Sequence, residues 1–223
     1  QGQAMGRTGD TQFRWHNLTV MLFTFSPAAA FDYFEDFDDG VADGFQPISG
    51  AWTTIDGTYT SEISGFGNFS YTRFGEDLWL DYVVECDILV TGSINHVVHV
   101  RGDGLNNTYS INIRSEPYND IIIAKRTHGS MSVLASTPYE NVAGEWHNLL
   151  ISAIGSYIKV TADRTETVAI DDTNSPFMQG PVYLIAYSGG VGYQQAWFDN
   201  LGLDFYAVPN EDHSWSEVKN LFR

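Results

Sequence analysis

Between residues 31 and 205 apolar and polar side chains alternate with a period of two, and turn residues interrupt the alternation every eight to twelve positions. The segments 51–55 and 58–60, separated by Asp56-Gly57, predict a hairpin with a tight Asp-Gly turn. Further strands are expected over Tyr82–Val90, His96–Arg101, Tyr109–Arg114, Asp120–Lys125 and Ser130–Ser136. The series continues through Trp146–Ala153, Tyr157–Ala162, Thr165–Asp171, Val182–Tyr187 and Gln195–Phe205. Leu149, Ile151 and Ala153 share one face of their strand, as do Ile158, Val160 and Ala162 of theirs. No long helical stripe occurs in this span. Many short strands without helices predict an all-β fold, a two-sheet antiparallel sandwich or a barrel.

The two ends read differently. Before residue 31, Arg7 and Arg14 precede an apolar run over 18–25 and the small residues of Ser26–Ala30. A basic start, short apolar stretch and small-residue exit predict a signal peptide over 1–30, the alternative being an appended segment or a native strand. The apolar run is too short to span a bilayer. After the domain at 31–207, residues 208–223 form a linker and a short amphipathic helix. Ser214 and Glu217 are spaced as a capping box, and Trp215, Val218, Leu221 and Phe222 recur at helical spacing. That helix would dock on its own domain or on another molecule.

Charge narrows the partners. The 223 residues carry a formal net charge of −17, a field that repels nucleic-acid phosphates and anionic lipid headgroups. A neutral ligand, a cation or calcium suits it better. Cys86 is the only cysteine, which excludes an internal disulfide and a cysteine-rich zinc site. Its place in a strand pattern makes it a small buried apolar residue. No Gly-x-Ser-x-Gly elbow, zinc spacing or phosphate loop occurs. His96 and His99, three apart on one strand, face opposite sides.

Several motifs follow one another in a specific order. Phe34–Gly40 is acidic and aromatic, Gly50–Trp52 and Ile55–Tyr59 follow, and then come Val83–Asp87, Val98–Arg101 and Tyr109–Arg114. Gly144–Leu149, Ile158–Asp163, Gly180–Leu184 and Trp197–Leu201 close the series. This succession resembles the concanavalin A-like lectin/glucanase superfamily over residues 31 to about 206. Within it, the motifs are most similar to laminin-G-like jelly rolls, family 66 carbohydrate-binding modules and 3-keto-disaccharide hydrolases. The resemblance implies two antiparallel sheets, one with a concave face open to ligand. That fold hosts both lectins and hydrolases, so it does not decide the activity.

Three sets of residues are candidates for chemistry. Glu85 and Asp87, two apart on a strand, point to one face and resemble the start of the family 16 glycoside hydrolase motif. The third acidic position of that motif is Val90 here, so half of an acid/base mechanism is missing. For ligand binding, His99 and Arg101 are expected on one face of a strand and Asn112 and Arg114 on one face of the next. Arginine supplies a planar fork of donors and asparagine both donor and acceptor for sugar hydroxyls. An arginine at the place of Arg101 is a common contact in the resembled modules. Asp103, Tyr118 and Trp79 would line the rim. The alternative is that both arginines pair with Glu85 and Asp87. Finally, the acids at 36–43 do not fit an EF-hand loop. The resemblance implies instead a structural calcium joining the first and last strands, with Asp199 at the last-strand position; the clustered Asp36 and Asp38 would complete it, the alternative being a solvated acidic turn.

The expectation is therefore an exported, lectin-like domain that binds a glycan or polysaccharide at the cell surface or outside it. Two alternatives stand beside it. One is a structural, adhesive or filament-forming surface protein that self-associates through its termini. The other is a glycoside or keto-sugar hydrolase.

Overall fold

The structure, a computed structural model, describes residues 31–65, 67–89, 94–141, 144–188 and 193–206. The expected signal peptide and C-terminal helix lie outside these residues. Among the described residues fifteen strands follow one another: β1 (Tyr33–Glu35), β2 (Phe45–Ser49), β3 (Trp52–Ile55), β4 (Thr58–Ser64), β5 (Phe69–Phe74), β6 (Tyr82–Leu89), β7 (Ile94–Val100) and β8 (Thr108–Arg114). Then come β9 (Asp120–Thr127), β10 (Ser130–Pro138), β11 (Trp146–Ile154), β12 (Tyr157–Ala162), β13 (Glu166–Asp171), β14 (Val182–Ser188) and β15 (Tyr193–Phe205).

They form two antiparallel sheets. The first runs β13-β12-β11-β6-β15-β4-β3, with β1 also paired to β15, and the second runs β10-β9-β8-β7-β14-β5-β2. Of the sandwich and the barrel that the alternation allowed, the sandwich is thus the fold, in the jelly-roll form that the resemblance implied. Between the sheets lie the inward sets of each strand, among them Val84, Cys86 and Ile88 of β6, Ile111 and Ile113 of β8, and Ile121 and Ile123 of β9, all fully buried. Burial and the neighbouring Asp87 and Glu85 push the Cys86 thiol far up, so it behaves as an apolar side chain.

Local chemistry explains the joints. At the predicted hairpin, Ile55 pairs with Thr58, while Asp56 (φ 49°) and Gly57 (φ 73°) both take the positive φ of a two-residue turn. The acidic opening starts as a strand but leaves it after Glu35, and Phe37 then takes a φ of 56°. Phe37 is fully buried, and the buried Glu35 carboxylate accepts the amides of Phe37 (2.8 Å) and Asp43 (2.9 Å). In β15 a bulge between Asp199 and Gly202, with Asn200 at φ 49°, bends the strand. Its first half can then pair with β4 and its second half with β1.

In β5 the usual pattern is inverted. Ser70 and Thr72 face inward, where Ser70 Oγ lies 2.6 Å from Ser61 Oγ and Thr72 Oγ1 lies 3.2 Å from the Tyr59 hydroxyl. Phe69 and Tyr71 face out. At one end of the sandwich two chain segments touch backbone to backbone. A Cβ on Gly180 (φ 136°) would lie 2.3 Å from the Gly102 amide nitrogen and 2.5 Å from its carbonyl oxygen. Gly180→Ala is therefore expected to cost about 2–3 kcal/mol, the scale of overpacking in a tight site. Thermal unfolding should show a midpoint roughly 5–10 °C lower.

Candidate functional site

The outer face of the second sheet is hollowed into a trough of about 520 Å3, within the range of small-ligand pockets. β7, β8, β9 and β14 build its floor. Tyr183 and Ile185 of β14 pack with Tyr71 and Leu105 on this outer face, apart from the main core. Phe69, Met131 and Tyr118 supply half-exposed apolar walls. A polar outer face would ordinarily be wet. Here Ser110 and Asn112 are only 1% and 7% exposed, because the walls rise around β8.

Three of the four predicted ligand residues meet in this trough: His99, Asn112 and Arg114. His99 Nδ1 lies 3.2 Å from the Gly104 carbonyl oxygen. A carbonyl only accepts, so Nδ1 carries the proton and Nε2 is an acceptor. Burial, offset in part by the Gly104 hydrogen bond and reinforced by the nearby Arg126 charge, lowers its pKa to about 3. The ring is neutral at physiological pH. Asn112 Nδ2 donates to Ser110 Oγ at 3.1 Å. Arg114 is engaged twice by Asp120, through Nε at 2.6 Å and through Nη2, and its guanidinium sits 4.4 Å from the Tyr118 ring centre. The Asp120 hydrogen bond raises its pKa further.

Arg101 does not join them. Its backbone φ of 61° ends the alternation of β7 and turns the side chain away from the His99 face into the sandwich, where it has no exposed surface. Nε donates to the Leu80 carbonyl at 3.2 Å, Nη1 to the carbonyls of Gly155 and, at 3.1 Å, Phe177, and Nη2 to Asp81 at 2.9 Å. Burial lowers its pKa, and Tyr82 and Asp81 oppose that shift. The alternative pairing with Glu85 and Asp87 is also corrected: the partners are Asp81 for Arg101 and Asp120 for Arg114. Of the rim residues, Tyr118 lines the trough. Trp79 instead packs edge-on against Phe74, Tyr82 and Phe205, and Asp103 binds the amide and side chain of Asn107.

The sequence pattern missed Arg126. The expected strand ended at Lys125, but β9 continues to Thr127. By alternation from Ile122, Arg126 then falls on the trough face. Its Nε donates to the Leu105 carbonyl at 2.8 Å and Nη2 to the Gly129 carbonyl at 3.3 Å.

Glu85 and Asp87 share a face, as expected, but on the first sheet, away from the trough. Asn148 Nδ2 donates to both, at 2.9 and 2.8 Å, and Asn200 Nδ2 donates to the second Asp87 oxygen at 2.9 Å. Beside them is Asp199, aligned with Asp87 across the β6–β15 pair. Burial, then the charges of Asp87, Asp38 and Asp36, raise the Asp199 pKa, against a hydrogen bond from the Asn200 amide. Asp36, Asp38 and Asp199 are therefore neighbours that repel. Among the described residues, however, no three acidic, histidine or cysteine groups converge closely enough to hold a metal ion.

Solved structures share this two-sheet fold. A carbohydrate-binding module of family 66 from Bacillus subtilis superimposes with a TM-score of 0.61 at 21% identity, over 72% of this chain and 95% of that one. The chain shares with it the two-sheet antiparallel jelly-roll fold. A protein of unknown function with a galectin-like fold from Bacillus subtilis is similar at TM-score 0.61 and 10% identity, over 79% of this chain and 96% of that one. The β-glucanase of Bacillus licheniformis is similar at 0.59 and 12%, over 80% of this chain and all of that one. At these identities the likeness is one of fold. Neither the family models nor the curated proteins compared with the sequence give a match.

Two substitutions test the assignments away from the trough. Arg101→Met leaves Asp81 and three carbonyls without their donor, and is expected to cost about 3–5 kcal/mol in urea unfolding, the scale of breaking a buried ion pair. Asp199→Asn, in chelator at pH 7, is expected to raise the unfolding midpoint. A carboxyl with a raised folded pKa destabilises above its unfolded value, and that penalty fades as pH falls through the folded value. The gain should therefore vanish in acid, where wild type and variant are both uncharged at this position.

Proposed function

We propose that this chain is a non-catalytic carbohydrate-binding jelly roll whose ligand lies in the trough of the second sheet. The observation that carries the reading is a concave face that combines aromatic and aliphatic walls with buried His99, Ser110 and Asn112. Sugar rings present apolar faces and hydroxyl edges, and such a surface matches both. Among its described lining residues there is no carboxylate, whereas cleavage of a glycosidic bond calls for a pair of them flanking the bond. The likeness to a carbohydrate-binding module and a galectin-like fold supports the same reading. So does the apolar run followed by small residues before Phe31, which favours export to the cell surface or beyond. Calcium at Asp36, Asp38 and Asp199 would sit at the first sheet, remote from the ligand, and its role would be structural.

A second reading, adhesion or self-association, is favoured by a different surface. Leu78, Leu80 and Phe205 are 75%, 57% and 43% exposed and lie together beside Tyr206, an apolar patch of the kind that contacts partners.

A glycan panel with parallel assay of released reducing ends tests the first reading. Binding without release is expected. Phe69→Ala and Asn112→Ala should each weaken it about tenfold, the scale of one lost stacking or hydrogen-bonding contact, in variants that still unfold cooperatively. Wild-type affinity in both folded variants would remove the trough as the site.

A further inference from the structure

Resting on the trough as the saccharide site, we infer that its ligand is an anionic sugar, whose carboxylate or sulfate group is held by Arg126. The chain has 28 acidic residues against 11 basic ones, yet not one Asp or Glu is among the described residues lining the trough. The internal stretches outside the described residues carry none in sequence either. The lining cations are Arg114 and Arg126. Arg114 is already neutralised by Asp120 on both of its facing nitrogens.

Arg126 is different. It is half-buried, and among the described residues it is paired with no carboxylate. Two of its five N–H donors go to the carbonyls of Leu105 and Gly129, which fix the plane of the guanidinium and leave its charge uncompensated. That charge reaches into the trough, since it acts on His99.

The hydrogen-bond inventory agrees. Arg126, Asn112 and Ser110 offer donors, while the side-chain acceptors are neutral ones, the His99 ring nitrogen and the Asn and Ser oxygens. A neutral sugar, rich in hydroxyl donors, would be better served by a carboxylate acceptor. A ligand rich in acceptors fits this lining. The net charge of −17 does not oppose it at contact range. At physiological ionic strength the field of distant acids decays over about 8 Å, whereas a guanidinium and an anion meet at roughly 2.8 Å.

The test is calorimetry at physiological salt on the full chain with two pairs of probes. One pair is trigalacturonate and its carboxyl-reduced counterpart, and the other is a sulfated galacto-oligosaccharide and its desulfated counterpart. The anionic member of at least one pair should bind about tenfold more tightly or better, the scale of a charge-assisted hydrogen bond. The pair that shows it tells carboxylate from sulfate. Arg126→Gln should abolish that difference between the two members of the pair, and Arg126→Lys should retain part of it. Equal affinity for both members of both pairs would overturn the anionic assignment and leave the saccharide site standing. Anionic preference that survives in a folded Arg126→Gln variant would overturn the role of Arg126. No binding of any probe would overturn this inference, and the glycan panel separately decides the broader reading. Should Arg126→Gln fail to fold, the wild-type comparison and Arg126→Lys decide.

Discussion

The Arg101 guanidinium, sealed from water at one end of the sandwich, carries a cost that the rest of the architecture must offset. An isolated buried charge is worth several kcal/mol of destabilisation. Four acceptors answer it, and they come from distant parts of the chain: Leu80 and Asp81 before β6, Gly155 in the β11–β12 turn, and Phe177 before β14. Its backbone amide meets the Tyr82 hydroxyl at 2.9 Å, and that hydroxyl donates to the Pro181 carbonyl at 3.3 Å. Both sheets are thus tied through one side chain. The same residue sets the geometry of the loop that follows. The carbonyls of Gly104 and Leu105 in that loop orient His99 and Arg126. A structural clamp and a ligand surface are in this way parts of one construction, with the clamp holding the wall against which the polar groups of the trough are aligned.

The acids of this chain are placed by the same economy of unpaired groups. Near the opening strand they work as acceptors for backbone amides: Glu35 for Phe37 and Asp43, Asp36 for Asp38, and Asp39 for Val41. Along β6 they are bridged by Asn148 and Asn200. Elsewhere they neutralise Arg73, Arg101, Arg114 and Lys125. The trough is where this supply stops, and its polarity is set by neutral groups and arginine. Charge counted over the whole chain therefore says little about the field a bound molecule would feel.

Much of the fold was legible because an antiparallel sandwich buries one face of each strand, and alternation records which. It failed where that premise failed. β5 turns Ser70 and Thr72 inward and Phe69 and Tyr71 outward, with Phe74 alone of its aromatics in the core, so the pattern over 69–72 points to the wrong face. β2 carries Pro47 and a register shift beside it, as an edge strand can. Three of four ligand residues converge because β7 and β8 hold their period through His99 and Asn112. Arg101 breaks it at a left-handed residue, and the warning was present in the Gly102-Asp-Gly104 turn that follows directly. Arg126 was lost to a strand end placed two residues too early, at Lys125 instead of Thr127, element ends being the least sharply marked part of a strand. Buried pairings such as Arg101 with Asp81 join residues 20 apart, and no local period can encode them.

One further property follows from Cys86, alone in the sequence and completely enclosed on β6 between the sheets. A reagent can reach its sulfur only after the layers part, and the thiolate it needs is suppressed until then. The chain thus contains its own clock for opening, in which the pace of alkylation reports how often the two halves of the sandwich separate.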